Sequence, residues 1–247
     1  MFRRANETYR EHRVAAAPGT HAKLVEMVRQ YAQADAHILD LGAFTGALLA
    51  RLRDAGFTRL AGADLVNHLT ESVSSFRACD FNTAFADVFE GEQFDCITAC
   101  EVIEHLDDPR AFLRECRKLL RPGGVVVVST PNIEFFEGRI KFALTGELWG
   151  FSARSYRSQR HISAIPASHV PMMLDEAGFA CSAITTAASF ASPMRRALTA
   201  PVWLPMRALC GRQVLGETLL FVGTAREQAH SAPIEGQAVW RSEGILA

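Results

Sequence analysis

The sequence predicts an α/β fold with a doubly wound, mostly parallel sheet and a lid inserted after the fifth strand. Short apolar runs alternate with segments of helical periodicity along much of the chain, as expected for strands joined by crossover helices. The fifth run, residues 125–128, is four consecutive valines, which indicates a strand buried on both faces. A glycine turn follows the first run, where parallel sheets bind ligands.

Composition indicates one large domain in a chain of 247 residues, because a formal net charge of -1 and 49% hydrophobic residues are ordinary for a globular protein. We expect a helical arm over 1–36, the main domain over 37–225 and a loose tail over 226–247. The six cysteines form no CxxC pair, so we expect reduced core thiols in a cytoplasmic protein. The charge balance gives no reason to expect DNA as a partner.

The first predicted strand, residues 38–41, leads directly into the turn 42–46 and then into a helical pattern. Glycine permits a sharp turn and close approach of the backbone to a ligand, and the first N–H groups of a helix can bind an anion. This order of strand, glycine turn and helix predicts a Rossmann-like nucleotide site, and a Rossmann-like turn without a cofactor is the alternative.

The second predicted strand, residues 59–65, ends in an acid, Asp64, about 20 residues after the glycine turn. An acidic residue at this spacing meets ribose hydroxyls in nucleotide-binding βαβ units. We expect a polar helix over 68–76 and a third strand over 76–81. We expect an exposed loop as the alternative setting for Asp64.

The fourth predicted strand, residues 93–100, is followed by the sequence EVIEHLDDP. A helix is predicted from Pro109 to Leu120, and the turn 121–124 separates it from the valine strand. Further on, we predict a helix near 172–177 and strands over 179–186 and 217–225.

The sequences HILDLGAFTG, FDCITACEVIEHLDDP and LRPGGVVVVSTPN resemble the class I S-adenosylmethionine (SAM)-dependent methyltransferases, especially the ubiquinone-biosynthesis O-methyltransferase-like group. The resemblance is close over 37–132 and looser over 161–180. It implies seven strands with the last antiparallel, and SAM as cofactor. Phe44 replaces the middle glycine of the usual motif. The cofactor-binding residues implied are Asp40, Gly42, Ala43, Gly46, Asp64, Leu65, Asp80, Phe81 and Glu101.

Acids and histidines after the fourth strand allow two interpretations. Glu101, Glu104 and His105 would share one face if their segment were helical. Small-RNA 3′-end methyltransferases resemble this chain here and use such residues with a later histidine, matched by His161, to hold a divalent metal such as Mg²⁺ or Zn²⁺. Without a metal, His161 or His105 would be the catalytic general base, because imidazole titrates near pH 6.5.

Two lid or acceptor segments, 133–168 and 188–216, combine basic and apolar residues. Such mixtures suit a membrane surface, with Trp203 and Leu204 inserted among lipids and Arg195 attracting anionic head groups, or an anionic, partly apolar acceptor. An ordinary substrate lid is the alternative. RNA is disfavoured as a partner because no RNA-binding module is recognisable.

Taken together, these features predict SAM-dependent O-methylation of a hydroxyl on a small-molecule or lipid-linked acceptor, such as a quinone precursor or a glycan intermediate. The protein would be cytoplasmic, with peripheral membrane contact if the acceptor is lipid-linked. A non-catalytic binding or scaffold protein of the same fold is the alternative. The sequence specifies neither the acceptor nor the oligomeric state.

Overall fold

The computed structural model describes residues 8–188 and 193–227, and the remainder of the expected arm, lid and tail lies outside these residues. A seven-stranded sheet forms the centre of the molecule. Its strands in chain order are β1 (His37–Leu41), β2 (Arg59–Asp64), β3 (Ser75–Ala78), β4 (Phe94–Cys100), β5 (Leu120–Pro131), β6 (Phe179–Ala187) and β7 (Thr218–Ala225).

Helices flank the sheet, and a short antiparallel hairpin pairs Thr8–Tyr9 with His12–Arg13 before the first of them. The α-helices are α1 (Thr20–Tyr31), α2 (Ala47–Asp54), α3 (Pro109–Leu119), α4 (Phe136–Thr145), α5 (Ala153–Gln159), α6 (Val170–Glu176), α7 (Pro193–Leu198) and α8 (Ala200–Cys210). Short 3₁₀ turns cover Phe85–Phe89, Ile103–His105, Ala167–His169 and Arg212–Leu215.

The strands lie in the order β3-β2-β1-β4-β5-β7-β6. The first five are parallel to one another, whereas β7 is antiparallel to both of its neighbours. The predicted doubly wound sheet with an antiparallel last strand is therefore confirmed.

Alternate residues along the central strands bury two different core faces. One face contains Leu39, Ile97 and Val126 and packs against α3 and α6, while the other contains Ile38 and Val127 and packs against α1 and α2. Both faces of the strands are therefore dry, which explains why their sequences are continuous apolar runs. Helix α1 belongs to the core on the face that contains Ile38 and Val127.

The predicted polar helix over 68–76 is wrong. This segment is irregular and leads into β3 at Ser75. Its backbone N–H groups bond to other segments instead of to helical partners, since Ser74 donates to Leu60 O and Thr70 donates to Thr45 O from both the N–H group and the side-chain hydroxyl. The third strand is accordingly shorter than predicted and ends before Asp80.

The fifth strand starts earlier than its valine run, because Leu120 already pairs with Phe94 of β4. The register then shifts, and Cys96 pairs with Val125. The predicted turn 121–124 thus forms a bulge within the strand pairing.

The two lid segments carry α4, α5, α7 and α8, and their own small core contains Phe135, Phe136, Trp203 and Val214. Insertion of Trp203 into lipid is therefore a wrong prediction, because its ring is buried and its Nε1 donates to Arg196 O. Arg195 forms two hydrogen bonds with the Glu137 carboxylate, so it is also not free for lipid. Residues 189–192 of the second segment lie outside the described residues.

All six cysteines are free thiols, as predicted, but two of them are not in the core. Cys181 and Cys210 are exposed, whereas Cys79, Cys96 and Cys116 are buried. Across the described ranges, we find no helix with the length and apolarity that a bilayer crossing requires.

Asn132 ties the end of β5 to the segment before β7. Its Nδ2 donates to Gln213 O at 2.5 Å and Gly216 O at 2.6 Å, and its backbone N–H donates to Glu217 O at 2.8 Å. The side chain is buried. It therefore fixes the second lid segment to the sheet edge where the ligand site is expected.

We predict that Asn132→Ala lowers the free energy of unfolding by about 3 kcal/mol, because two carbonyl groups lose their buried donor. Urea unfolding measures this change. Asn67→Ala is the control, because Asn67 is exposed and caps only a local turn. Equal stabilities of the two variants would contradict the role of Asn132.

Candidate functional site

The candidate site lies where the sheet reverses its winding, between β1 and β4. Helix α2, which follows β1, packs on one face of the sheet, and α3, which follows β4, packs on the other. Connections that leave in opposite directions open a crevice at the carboxyl ends of the two strands, where α/β sheets bind ligands.

The glycine loop forms one wall of this crevice. Gly42 has φ +78° and Gly46 has φ +92°, both in the left-handed region. A Cβ atom at Gly42 would clash with Cγ2 of Val102, so only glycine permits this close approach. The loop is held to β2 because Gly42 N–H donates to Ala63 O at 2.8 Å.

Phe44 lies in the glycine loop and lines the small cavity of the crevice. Its backbone has φ +46°, and its N–H donates to Asp64 Oδ2 at 2.8 Å. Its ring contacts the Arg13 guanidinium at 5.8 Å and the His68 ring at 6.5 Å. The departure from the usual glycine motif is therefore matched by contacts with the N-terminal hairpin and the loop after β2.

Asp40 is buried at the base of the crevice and accepts a hydrogen bond from Thr98 Oγ1 at 2.7 Å. Burial raises its pKa to about 7, with the Thr98 bond opposing and the Asp64 charge adding to the rise. Beside it, Arg13, His21 and Gly42 bound a cavity of about 30 Å³. This space is wide enough for about one water molecule.

His21 reaches the same small cavity from α1. Burial lowers its pKa to about 4, and the Arg51 charge adds to the effect. Its Nδ1 is buried without a hydrogen-bond partner among the described residues. A neutral imidazole nitrogen is therefore available next to Asp40.

The end of β2 offers a carboxylate beside exposed apolar side chains. Asp64 Oδ1 accepts from Leu65 N–H at 2.7 Å, and Leu65 and Val66 are exposed. After β3, Asp80 is exposed, and Phe81 lies edge-on to the Phe85 ring at 5.2 Å. These groups provide acceptors and an apolar surface along one edge of the sheet.

Glu101 and Glu104 point into different surroundings, which corrects the prediction that they share a helical face with His105. The 3₁₀ turn begins only at Ile103, and Glu101 precedes it with φ +56°. Glu101 Oε1 accepts from Ser129 Oγ at 2.8 Å. Burial and then the charge of Glu217 raise the pKa of Glu101, while the Ser129 bond opposes the rise.

Glu104 is completely buried, and neither carboxyl oxygen has a hydrogen-bond partner among the residues that the structure describes. Burial, followed by the Glu101 charge, raises its pKa well above the usual range. One ligand atom each from Glu104, His105 and His161 lies within 4.8 Å of the others, and Glu101 is outside this group. Three of the four predicted metal ligands are therefore clustered.

His161 has a fixed ring orientation. Its Nδ1 lies 2.8 Å from Gly150 O, so Nδ1 carries the proton and Nε2 keeps its lone pair. The His105 ring is 4.8 Å away, centroid to centroid. Burial and then the His105 charge lower the pKa of His161, while the Gly150 bond opposes this, so the ring is neutral at pH 7.

Backbone contacts hold His161 at this place. The Glu104 carbonyl accepts hydrogen bonds from Ile162 N–H at 2.9 Å and Ser163 N–H at 3.0 Å. Ser163 Oγ also donates to Leu106 O at 2.6 Å. The segment after α5 is thus attached to the end of β4.

A larger cavity of about 630 Å³ opens next to His161. Its walls are formed by the first lid segment and include Leu148, Phe151, Tyr156 and Arg157. This volume is in the range of small-molecule binding sites. The site therefore combines this cavity, the neutral His161 and the groups at the ends of β1, β2 and β3, which include Gly42, Asp64 and Asp80 and are called the nucleotide-type edge below.

A family model described as a methyltransferase domain matches residues 9–184, which is most of the chain. The chain belongs to the SAM-dependent methyltransferase family. The ubiquinone biosynthesis O-methyltransferase of Parvibaculum lavamentivorans is 37% identical over 133 residues, covering 51% of this chain and 50% of that protein. The enzyme of the same name from Dinoroseobacter shibae is 40% identical over 103 residues, covering 38% and 41%. The chain thus matches half the length or less of these relatives.

Solved methyltransferases share the fold. A SAM-dependent methyltransferase from Archaeoglobus fulgidus aligns with a TM-score of 0.55 at 16% identity, covering 83% of this chain and 95% of that one. The 1,6-didemethyltoxoflavin N1-methyltransferase of Burkholderia thailandensis aligns with a TM-score of 0.54 at 16% identity, covering 84% of this chain and 79% of that one. It was solved with 1,6-didemethyltoxoflavin and S-adenosylhomocysteine bound.

The residues predicted to bind SAM occupy the ends of neighbouring strands in this methyltransferase, although their contact with SAM stays a prediction. Asp40 lies in β1 and is followed by Gly42, Ala43 and Gly46, while Asp64 ends β2 and is followed by Leu65. No sequence signal pointed to Arg13, His21 or Gly150, because each reaches the site from a segment without a motif.

We predict that Asp40→Asn changes the pH dependence of stability. Between about pH 4 and pH 7 the folded wild type keeps a proton on Asp40 that the unfolded chain releases, so its stability falls as the pH rises. Asparagine does not titrate. The melting temperature of the variant relative to the wild type should therefore increase from pH 4.5 to pH 8, and a constant difference would contradict the raised pKa.

Proposed function

We propose that this methyltransferase transfers the methyl group of SAM to a hydroxyl on a small-molecule or lipid-linked acceptor. The observation that carries the proposal is His161, a neutral imidazole with a free Nε2, between the nucleotide-type edge and the 630 Å³ cavity. The two named relatives, both ubiquinone biosynthesis O-methyltransferases, support oxygen as the atom methylated.

The residues at the strand ends fit SAM. Asp64 already accepts two backbone N–H groups, but a carboxylate has about four acceptor positions, so two remain for ribose hydroxyls. Leu65 and Phe81 offer apolar contact to the adenine, and Asp80 can accept from its amino group. When bound, SAM supplies an electrophilic methyl group on a sulfonium.

The methionyl end of SAM would approach Asp40 and Gly42. The cavity of about 30 Å³ is too small for it, so Arg13 or His21 must shift on binding. The Arg13 guanidinium can pair with the carboxylate of the methionyl group, and the neutral His21 nitrogen can accept from its ammonium.

His161 is proposed to hold the acceptor hydroxyl and take its proton at Nε2. The Gly150 carbonyl keeps the proton already on the ring at Nδ1, which leaves the opposite nitrogen as the base. His105 lies against this ring and helps to orient it. Methyl transfer to oxygen needs little beyond such positioning and the removal of one proton.

Binding of S-adenosylhomocysteine tests the cofactor site without knowledge of the acceptor. We predict that Asp64→Ala weakens binding by about 10- to 100-fold, since it removes charge-assisted hydrogen bonds. Glu26→Ala should bind like the wild type, because Glu26 pairs with Lys23 on the surface of α1. Isothermal titration measures both variants.

Equal affinities of these variants would contradict the ribose role of Asp64. Absence of heat and of a thermal shift with the wild type would instead favour the alternative, a non-catalytic binding or scaffold protein of the same fold.

A divalent metal is a second candidate function of the histidine group. Glu104, His105 and His161 place three ligand atoms within 4.8 Å, and Glu104 has no hydrogen-bond partner among the described residues. Burial favours the protonated form of Glu104, but a bound cation such as Mg²⁺ or Zn²⁺ would reverse this preference. The metal would act as a Lewis acid toward the acceptor hydroxyl.

Treatment with a chelator distinguishes the role of His161 as general base from its role as metal ligand. We predict that the protein keeps its activity toward a catechol acceptor after treatment with EDTA, and that His161→Gln lowers kcat by about 10²-fold or more while S-adenosylhomocysteine binding is unchanged. Wild-type kcat should fall at acid pH, with a midpoint below 6.5, as His161 takes up a proton. Loss of activity in EDTA with recovery in Mg²⁺, Mn²⁺ or Zn²⁺, together with metal content that disappears in Glu104→Gln, would establish the metal instead.

Peripheral membrane contact is proposed only for the exposed part of the second lid segment. Met194, Leu198, Leu204 and Leu209 are exposed there, whereas Trp203 and Arg195 contact the protein itself. Co-sedimentation with anionic and neutral vesicles tests this contact, and absence of binding to both would leave a soluble acceptor.

A further inference from the structure

The large cavity beside His161 has an apolar body. Leu148, Phe151 and Ile162 form part of its wall, with the aromatic ring of Tyr156. Such a lining favours a ring or another apolar group over a fully hydrated ligand. The Phe151 ring also contacts the His161 ring at 5.7 Å, so the apolar wall reaches the proposed base.

The cavity is formed by residues of one basic segment of the chain. Residues 148–164 contain three arginines and no Asp or Glu. Arg157 is the one of these three that lines the cavity. The nearest acid earlier in the chain, Glu147, pairs with Lys141 at 3.0 Å. A ligand in the cavity therefore meets a guanidinium without an adjacent carboxylate.

Arg157 differs from other arginines of the lid. Arg139 pairs with Glu134, and Arg195 pairs with Glu137. Arg157 has no ion pair and no side-chain hydrogen bond with any residue in the ranges 8–188 and 193–227. Because a guanidinium stays charged at any working pH and Arg157 is exposed at the cavity wall, it is available to pair with an anion of a ligand.

We propose that the cavity binds an acceptor with an anionic group on an apolar or aromatic body, and that Arg157 pairs with this anion. The inference rests on the proposed function, because it takes the hydroxyl of the same molecule to lie at His161. Carboxylate and phosphate share the required chemistry, a planar or tetrahedral set of oxygens that a guanidinium binds through two parallel hydrogen bonds.

Paired probes test the anion requirement directly. 3,4-Dihydroxybenzoate and 3,4-dihydroxybenzamide have nearly the same shape, but only the first carries a charge. Phenyl phosphate and phenol form the corresponding pair for phosphate. Each probe is titrated into the full-length protein saturated with S-adenosylhomocysteine, first at low and then at high salt.

We expect the wild type to bind one anionic probe about 10-fold more tightly than its neutral partner, because Arg157 is exposed and its attraction is partly screened. Arg157→Gln should remove this preference. Arg154→Gln is the matched control, because Arg154 lies on the same helix but does not line the cavity, and it should keep the preference. High salt should reduce the preference of the wild type for the anionic probe.

A preference within the benzoate and benzamide pair assigns the anion as a carboxylate. A preference within the phenyl phosphate and phenol pair assigns it as a phosphate. Equal affinity within both pairs, no binding of either anionic probe, or a preference that survives Arg157→Gln would overturn the proposal. Binding of S-adenosylhomocysteine with any of these results would leave the methyltransferase function in place, so the two failures are distinguishable.

Discussion

The hydrogen bond from Thr98 to the buried Asp40 joins β1 to β4 at the point where the sheet reverses its winding. Both residues lie in the dry centre of the sheet, so neither can be satisfied by bulk water. The glycine loop starts at Gly42, two residues after Asp40. The acidic and histidine residues start at Glu101, three residues after Thr98. This contact and the backbone pairing of β1 with β4 therefore lie beneath both walls of the crevice.

The second wall is set by a different contact, between the backbone of Glu104 and the segment that carries His161. Two N–H groups, from Ile162 and Ser163, share the Glu104 carbonyl. This attachment holds the first lid segment against β4, and the Gly150 carbonyl then fixes the imidazole. The proposed base and the cavity are thereby attached to the end of β4, although they are far from this strand in sequence.

The sequence was sufficient where one local rule decided the structure. Apolar runs and the glycine turn predicted the sheet, because strands buried on both faces leave little freedom of pattern. It was insufficient where a segment bonded to distant backbone, as Ser74 and Thr70 do in place of the expected helix. The positive φ of Glu101 and the burial of Trp203 depend on tertiary contacts that spacing does not reveal.

The most direct test of the central claim, that one sheet edge binds SAM and presents its methyl group to His161, is a crystal structure with S-adenosylhomocysteine. We predict ribose hydroxyls within hydrogen-bonding distance of the Asp64 carboxylate and the sulfur on the side that faces His161 and the cavity. A ribose remote from Asp64, or a sulfur separated from His161 by the first lid segment, would contradict the claim.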